Sequence, residues 1–305
     1  MKAVTINSYG ETPKLTDVPE PKVGPDSVLV RVKAAGVNPV DWKITAGYLD
    51  PVLQTNFPLI PGWDVAGVVE AVGPAITEFA AGDEVIGYNR QDVAQFGTYA
   101  ELVAAPVRVL ARKPASLSWQ QAAGVPLAGL TAYQALRAAG AAEGDTVLVH
   151  AAAGGVGSFA VQIAAARGAR VIGTASERNH DYLRSLGAAE PVTYGDGLAD
   201  RVRELAPEGV DVALDFVGGD AIPASLDLAK SAARVVSVVD PGIAGSGGRY
   251  VFVRPDAADL TALGELADAG KLTVNVDQEL PLEQVGEAFR LSQEGRTRGK
   301  IVLTV

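Results

Sequence analysis

A turn of small residues, between an apolar run and a helical pattern, is the part of this sequence that most clearly indicates chemistry. Residues 146–149 are apolar and β-branched, typical of a buried parallel strand, and residues 158–167 carry apolar residues at helical spacing. The turn between them contains Ala152, Gly154, Gly155, Val156 and Gly157. Its bare backbone lets phosphate oxygens approach the unpaired N–H groups and the positive dipole end of the helix.

This pattern predicts a dinucleotide site. Gly154 and Gly157 match the second and third glycines of the dinucleotide fingerprint, and Ala152 stands where the first is usual. The alternative is a sharp strand-to-helix turn that binds nothing.

The residues after the next predicted strand, 170–176, bear on which dinucleotide binds. NAD enzymes usually place an acid on the ribose 2′-hydroxyl about twenty residues after the glycines. Here Ser176 is followed by Glu177 and Arg178, and a hydroxyl with a guanidinium suits a 2′-phosphate. The sequence therefore favours NADPH, bound by Ser176 and Arg178. Two alternatives remain: Ser176 only caps the following helix, or Glu177 faces the pocket and accepts the 2′-hydroxyl of NAD.

The composition argues against several classes of function. The 305 residues include no cysteine, so disulfides, thiol nucleophiles and thiolate metal ligands are excluded. A net charge of −10 disfavours nonspecific binding to nucleic acid or to anionic membranes. No apolar run approaches the roughly twenty residues that span a bilayer, and the N-terminus lacks a signal-peptide pattern. We expect a cytoplasmic protein with neither nucleic acid nor membrane as a partner.

The predicted elements form two domains of an α/β protein. Up to about residue 109, short alternating strands separated by Pro and Gly predict a compact, mostly antiparallel β unit. Beyond the glycine turn, strands alternate with helices in the order of a doubly wound parallel sheet. A strand in 272–279, a helix in 282–293 and a strand in 300–305 end the chain. We therefore assign residues 1–118 and 270–305 to the β-rich domain and residues 119–269 to a Rossmann domain inserted between them.

Residues after the later strands of the parallel sheet complete the predicted cofactor site. Phe216 and Val217 follow its fourth strand, where contacts to a cofactor ribose are expected. Val238, Phe252 and Val253 end the next two strands and are expected to border the nicotinamide.

Further motifs run along the whole chain. In order they are GVNPVD (36–41), PGWDVAGVV (61–69), GDEV (82–85), FGTYAE (96–101), LTAY (130–133), the glycine turn and GKIVL (299–303). Together they resemble the zinc-free quinone oxidoreductase (zeta-crystallin-like) branch of the medium-chain dehydrogenases/reductases. The resemblance implies a GroES-like catalytic domain beside the Rossmann domain, an active-site cleft between them, and a homodimer joined through the Rossmann sheet.

The resemblance also implies roles for single residues. Asn38 and Asp41 fall in a loop beside the nicotinamide, where Asn38 donates to a substrate oxygen and Asp41 acts as a site residue or, alternatively, orders the loop. Tyr48 matches a tyrosine that donates a proton or hydrogen bond to substrate, with a lid aromatic as the alternative. Thr131 matches a position near the nicotinamide. Tyr194 matches a tyrosine over the adenosine phosphate, or is simply a strand-end aromatic.

A catalytic metal is not expected. Zinc alcohol dehydrogenases of this superfamily place a cysteine and a His-Glu pair where this chain has Asn38 and Trp63-Asp64. The only histidines are His150, expected to pack near the glycine turn, and His180, expected on the surface.

The prediction for function is an NADPH-dependent oxidoreductase that transfers hydride to a quinone or to an activated alkene, an α,β-unsaturated carbonyl, without zinc. A dedicated enoyl-thioester or enone reductase is one alternative. A low-activity NADPH-binding sensor or interaction protein is the other.

Overall fold

The strands and helices follow each other in the predicted order. In the computed structural model, which describes all 305 residues, the strands are β1 (Lys2–Thr5), β2 (Lys14–Asp17), β3 (Ser27–Val37), β4 (Gln54–Ile60), β5 (Asp64–Val72), β6 (Glu84–Tyr88), β7 (Val93–Phe96), β8 (Leu102–Pro106), β9 (Leu110–Arg112), β10 (Thr146–Val149), β11 (Arg170–Ala175), β12 (Glu190–Thr193), β13 (Val212–Asp215), β14 (Val235–Ser237), β15 (Arg249–Tyr250), β16 (Val276–Pro281) and β17 (Lys300–Thr304). The α-helices are α1 (Pro39–Thr45), α2 (Trp119–Ala123), α3 (Pro126–Ala138), α4 (Gly155–Ala166), α5 (His180–Ser185), α6 (Leu198–Leu205), α7 (Ala221–Leu228), α8 (Ala257–Asp268) and α9 (Val285–Glu294). None of the helices combines the length and the apolar character that crossing a bilayer requires.

The chain divides into two compact units. The first comprises Met1–Leu130, Arg254–Gly270 and Val274–Val305, and the second Thr131–Val253 and Lys271–Thr273. The two units divide the chain differently from the predicted domains. Residues 119–130 and 254–269, predicted in the Rossmann domain, lie in the first unit, and residues 271–273, predicted in the β-rich domain, lie in the second. Packing explains the first two segments: α2 lies on β3 and β5, and α8 lies on β9. A Cβ added to Gly36 of β3 would be 2.4 Å from the carbonyl oxygen of Ala123 in α2, so the strand and the helix touch directly.

The second unit is built on one six-stranded sheet in the order β12-β11-β10-β13-β14-β15. All five neighbouring pairs are parallel, which is the doubly wound arrangement predicted from the alternating pattern. The central strands β10 and β13 are almost wholly buried, and α4 packs on β10 and α7 on β13. Since the strands are parallel, their carboxyl ends share one edge of the sheet, which we call the carboxyl edge.

The first unit is built on a mostly antiparallel sheet. Its order is β16-β17-β3-β5-β6-β9, and β8 also pairs with β3. Two further two-stranded sheets, β1-β2 and β4-β7, belong to this unit. Valine, leucine and alanine from β3, β5, β8 and β17 form its main core together with α9.

The strand predicted at 272–279 begins later, at Val276. Hydrogen bonds between Thr273 and helix α4 explain why the strand starts later in the sequence. The Gln162 side chain in α4 accepts hydrogen bonds from the Thr273 backbone N–H at 2.7 Å and its hydroxyl at 3.0 Å, and donates to its carbonyl oxygen at 3.0 Å. Thr273 is therefore bound to the second unit rather than to the strand ladder.

Candidate cofactor and active site

The predicted glycine turn connects β10 to α4 at the carboxyl edge. Ala151 holds a left-handed φ of 51°, which residues other than glycine rarely adopt. A Cβ added to Gly157 would lie 2.2 Å from the carbonyl oxygen of Ala151, so the helix packs on the turn too closely for any side chain. Gly154, the N-cap of α4, differs: its added Cβ would meet only that same oxygen, at 3.3 Å. The approach to the helix start is therefore open at Gly154.

The first N–H groups of α4 are available to a ligand. The backbone N–H groups of Gly155, Val156 and Gly157 have no intramolecular acceptor, as expected for the first turn of a helix. Next to the positive end of the helix dipole, they form a site suited to a diphosphate.

Exposed apolar side chains mark the same edge of the sheet. The large hydrophobic residues exposed in the second unit are Tyr194, Val217, Val239 and Phe252, at 44–60 % exposure. Each of them follows one of the four strands β12 to β15. Exposed apolar side chains that cluster on one surface are typical of a binding site, because a bound ligand would remove them from water. Of the neighbouring predicted residues, Phe216, Val238 and Val253 are half-buried and Thr131 is buried.

Ser176 and Arg178 follow β11 at this edge. Ser176 occupies the N-cap position of the 3₁₀ turn Glu177–Asn179, but its side chain makes no capping hydrogen bond. Instead its Oγ accepts from the Asn179 side chain at 3.3 Å, which leaves the hydroxyl hydrogen free to donate. Glu177 and Arg178 are exposed, and neither side chain has an ion-pair or hydrogen-bonding partner.

In the first unit, Asp41 holds the loop between β3 and α1. One carboxylate oxygen accepts the Asn38 backbone N–H at 2.7 Å and the Tyr99 hydroxyl at 2.8 Å. Burial raises the pKa of Asp41 to about 7, although both hydrogen bonds oppose the shift. These contacts favour the alternative in which Asp41 orders the loop.

The Asn38 side chain is held by two charged groups. Its Nδ2 donates to Asp64 Oδ2 at 2.8 Å and its Oδ1 accepts from Lys300 Nζ at 2.6 Å. Lys300 Nζ also donates to the Val37 carbonyl oxygen, at 3.2 Å, and lies 3.8 Å from Asp64 Oδ2. The second Nδ2 hydrogen has no intramolecular acceptor.

We call Asn38, Asp41, Asp64, Tyr99 and Lys300 the buried network, since each is at most 4 % exposed. Sequence reasoning missed Asp64 and Lys300 as partners of Asn38. Each is the first residue of an apolar run, DVAGVV and KIVL. A charged residue at the start of a buried strand indicates that its side chain has a buried partner.

The chain matches two known protein families. Residues 24–115 match the alcohol dehydrogenase GroES-like domain, and residues 186–303 match a family described as zinc-binding dehydrogenase. A chloroplast envelope quinone oxidoreductase homolog from Arabidopsis thaliana is 32 % identical, over 99 % of this chain and 98 % of the relative. A 2-methylene-furan-3-one reductase from Solanum lycopersicum is 34 % identical, over 99 % and 79 %. The solved quinone oxidoreductase from Coxiella burnetii is 35 % identical, with a TM-score of 0.88 over 100 % of this chain and 99 % of that one.

The chain belongs to the quinone oxidoreductase branch of the medium-chain dehydrogenases/reductases. The predicted resemblance and the predicted fold class are thus confirmed. A mycobacterial structure complexed with NADPH, 29 % identical with a TM-score of 0.85 over 100 % of both chains, shares the fold. Enzymes of this family are NAD(P)H-dependent oxidoreductases.

Tyr48 of this protein is not part of the buried network. Its side chain is 68 % exposed and its ring packs edge-on against Trp42, with the centroids 6.1 Å apart. The structure therefore brings Asn38 and Asp41 together and leaves the Tyr48 hydroxyl without an intramolecular partner.

The two histidines differ in burial. His150 is 2 % exposed, directly after β10, and burial lowers its pKa to about 4 although Asp215 opposes the shift. It is therefore neutral at physiological pH. His180 was expected on the surface, but it is half-buried at the start of α5, with an Nε2 that is buried and has no partner. No three His, Asp or Glu side chains come together in a group that could hold a metal.

The raised acid pKa values predict the pH dependence of stability. Burial also raises the pKa of Asp64, to about 6. Because the folded state keeps protons that the unfolded chain releases, the stability contributed by Asp41 falls as the pH rises from about 4 to about 7. Asp41→Asn should therefore reduce the decrease in the free energy of unfolding between about pH 4 and pH 7 by up to about 4 kcal/mol. Urea unfolding over this pH range measures the change.

The matched control is Asp17, an exposed acid whose pKa is lowered by its hydrogen bond with Lys2. Asp17→Asn should change the pH dependence of the free energy of unfolding in the opposite direction, and only at about pH 4 and below. An unchanged slope in Asp41→Asn would show that Asp41 is ionised throughout this range.

Proposed function

We propose that this protein is an NADPH-dependent reductase of quinones and α,β-unsaturated carbonyls. The observation that carries the proposal is the carboxyl edge of the parallel sheet, where unpaired N–H groups of α4, the open approach at Gly154 and exposed apolar side chains occur together. When bound, the dinucleotide supplies a hydride from its nicotinamide C4. The protein binds and orients the two reactants.

Each part of the cofactor has candidate ligands. Residues 154–157 of the turn bind the diphosphate through backbone N–H groups. Ser176 and Arg178 bind the 2′-phosphate, and Tyr194 covers the adenosine side. The nicotinamide and its ribose are bordered by Thr131, Phe216, Val217, Val238, Phe252 and Val253.

The preference for NADPH over NADH rests on Arg178. Its guanidinium is exposed and unpaired, and the free hydrogen of Ser176 lies two residues away. We expect Arg178→Ala to weaken NADPH binding by about tenfold to a hundredfold, since a charged hydrogen bond contributes about 1.5–3 kcal/mol. NADH affinity should stay within about twofold. Fluorescence titration with both cofactors measures the two values.

Arg184→Ala is the matched control, because Arg184 is a nearby exposed arginine that pairs with Asp181 on α5. It should change neither affinity. Equal losses of NADPH and NADH affinity in Arg178→Ala would remove Arg178 from the 2′-phosphate site.

Two residues are candidates for contacting the acceptor substrate. The remaining Nδ2 hydrogen of Asn38 donates to a carbonyl oxygen of the acceptor, and the Tyr48 hydroxyl delivers a proton to the enolate or quinone oxygen. Asp41 acts through the loop that it orders. We propose that no catalytic zinc takes part, because Asn38 and Trp63-Asp64 stand where the zinc enzymes have ligands.

Steady-state oxidation of NADPH tests the proposal. Turnover with small quinones and with enones, giving hydroquinone and saturated ketone, is the expected result. The names of relatives, 2-methylene-furan-3-one reductase and NADPH-dependent alkenal/one oxidoreductase, favour the inclusion of alkenes. Turnover of enoyl thioesters alone would favour a dedicated enoyl-thioester reductase. Tight NADPH binding without any turnover would favour a sensor. The homodimer and the cytoplasmic location stay predictions.

A further inference from the structure

Two loops at the carboxyl edge share one buried carboxylate. Asp215 is the last residue of β13 and Ser237 the last residue of β14, and the two are direct partners in the parallel register. Both side chains are completely buried. A carboxylate buried at a sheet edge is stable only when hydrogen bonds satisfy it, so its partners identify what it holds in place.

Asp215 holds the loop that follows its own strand. Its Oδ1 accepts the backbone N–H groups of Val217 at 3.0 Å and Gly218 at 2.8 Å. Gly218 and Gly219 both have left-handed φ values, 78° and 59°, so this segment makes no regular backbone pairing. The Asp215 carboxylate accepts the backbone N–H groups that strand pairing would otherwise satisfy.

Ser237 holds the loop that follows β14 and joins it to the first. Its Oγ accepts the N–H groups of Val239 at 3.2 Å and Asp240 at 3.1 Å, and donates to Asp215 Oδ2 at 2.7 Å. The loops also touch, since a Cβ added to Gly218 would lie 3.2 Å from Val239 Cγ2. The hydrogen bond between the two side chains, together with a backbone bond from the Val238 N–H to the Asp215 carbonyl oxygen at 3.2 Å, therefore fixes both loops relative to each other.

The strand order shows which part of a dinucleotide these loops would meet. The glycine turn follows β10, and Ser176 follows β11 on one side of it. The strands β13 and β14 lie on the other side of β10. A dinucleotide whose diphosphate lies at the turn and whose 2′-phosphate lies at Ser176 extends its other half toward β13 and β14, where Val217 and Val239 are exposed.

We infer that Asp215 and Ser237 are positioning residues that fix the loops 216–219 and 238–240 for the nicotinamide half of the cofactor. The inference rests on the proposed function. Neither side chain touches the cofactor, because both are buried; they act through the backbone of the loops.

Ser237→Ala tests the inference with two ligands. NADPH reports on both halves of the site, and adenosine 2′,5′-bisphosphate reports on the 2′-phosphate half alone. We expect Ser237→Ala to raise the Kd for NADPH by about tenfold, the size of one lost hydrogen bond. The Kd for adenosine 2′,5′-bisphosphate should stay unchanged. Isothermal titration below the unfolding temperature of each variant gives both values.

Ser225→Ala is the matched control, because Ser225 is equally buried in the second unit but its hydroxyl has no partner. It should leave both Kd values unchanged. Asp215→Asn provides a second measurement, since it keeps an oxygen for the two loop N–H groups and alters the atom that faces Ser237. It should show the same selective loss.

Equal weakening of both ligands in Ser237→Ala, or weakening of neither, would overturn the inference. These outcomes differ from a failure of the proposed function, in which the unaltered protein itself binds neither NADPH nor the bisphosphate.

Discussion

Gly154→Val is expected to lower the affinity for NADPH by at least about a hundredfold, or about 2.7 kcal/mol, and to leave the fold intact. The backbone at Gly154 has φ −78° and ψ −179°, an extended conformation that valine readily adopts. A Cβ there meets only one protein atom within 4 Å, at 3.3 Å. The added side chain would instead fill the approach to the free N–H groups of α4, so binding is lost while packing is kept.

Two other glycines serve as controls for this substitution. Gly245→Ala adds a methyl group where no atom lies within 4 Å, so binding and stability should be unchanged. Gly157→Ala places a Cβ 2.2 Å from the Ala151 carbonyl oxygen, so it should unfold the turn itself. Thermal unfolding and NADPH titration of the three variants separate a blocked site from a broken fold. Unchanged NADPH affinity in a folded Gly154→Val protein would contradict a diphosphate site at the turn.

The sequence was sufficient to predict the parallel sheet, and it placed the residues of the proposed cofactor site at one edge of that sheet. Strand and helix periodicities are local signals, and the carboxyl ends of parallel strands necessarily meet at one edge. The sequence therefore predicted that residues as distant as Gly154, Ser176, Phe216 and Phe252 share one edge, and in the structure each of them follows a strand of the same parallel sheet.

The side-chain pairing of the site could not be predicted in the same way. Whether Asn38 Nδ2 faces a substrate or Asp64 depends on contacts between β3, β5 and β17, which are distant in the sequence. The same holds for the boundary near residue 130, since α2 carries helical spacing that is equally compatible with packing on either unit. Periodicity indicates that a face is buried, but not what covers it.

Lys300→Met is expected to destabilise the protein by about 3–5 kcal/mol at neutral pH, because removal of one partner leaves a buried charge uncompensated. Methionine keeps most of the length of the side chain and removes the ammonium group. Asp64, which is completely buried, then loses the cation at 3.8 Å, and Asn38 Oδ1 loses its donor at 2.6 Å. Urea unfolding at about pH 7.5 measures the loss. Lys2→Met is the control: Lys2 pairs with Asp17 with side chains 50 % and 78 % exposed, so its loss should stay below about 1 kcal/mol.

The effect of Lys300→Met should also depend on pH. Lys300 lowers the pKa of Asp64, which burial raises to about 6, so that pKa rises further without the ammonium. At about pH 5 Asp64 is then protonated and leaves no uncompensated charge, so the destabilisation should be smaller than at about pH 7.5. The double variant Lys300→Met/Asp64→Asn removes both charges and should recover part of the stability at the higher pH. A loss in Lys300→Met that is equal at both pH values, and that Asp64→Asn does not reduce, would mean that Lys300 stabilises the fold by packing and not by its charge.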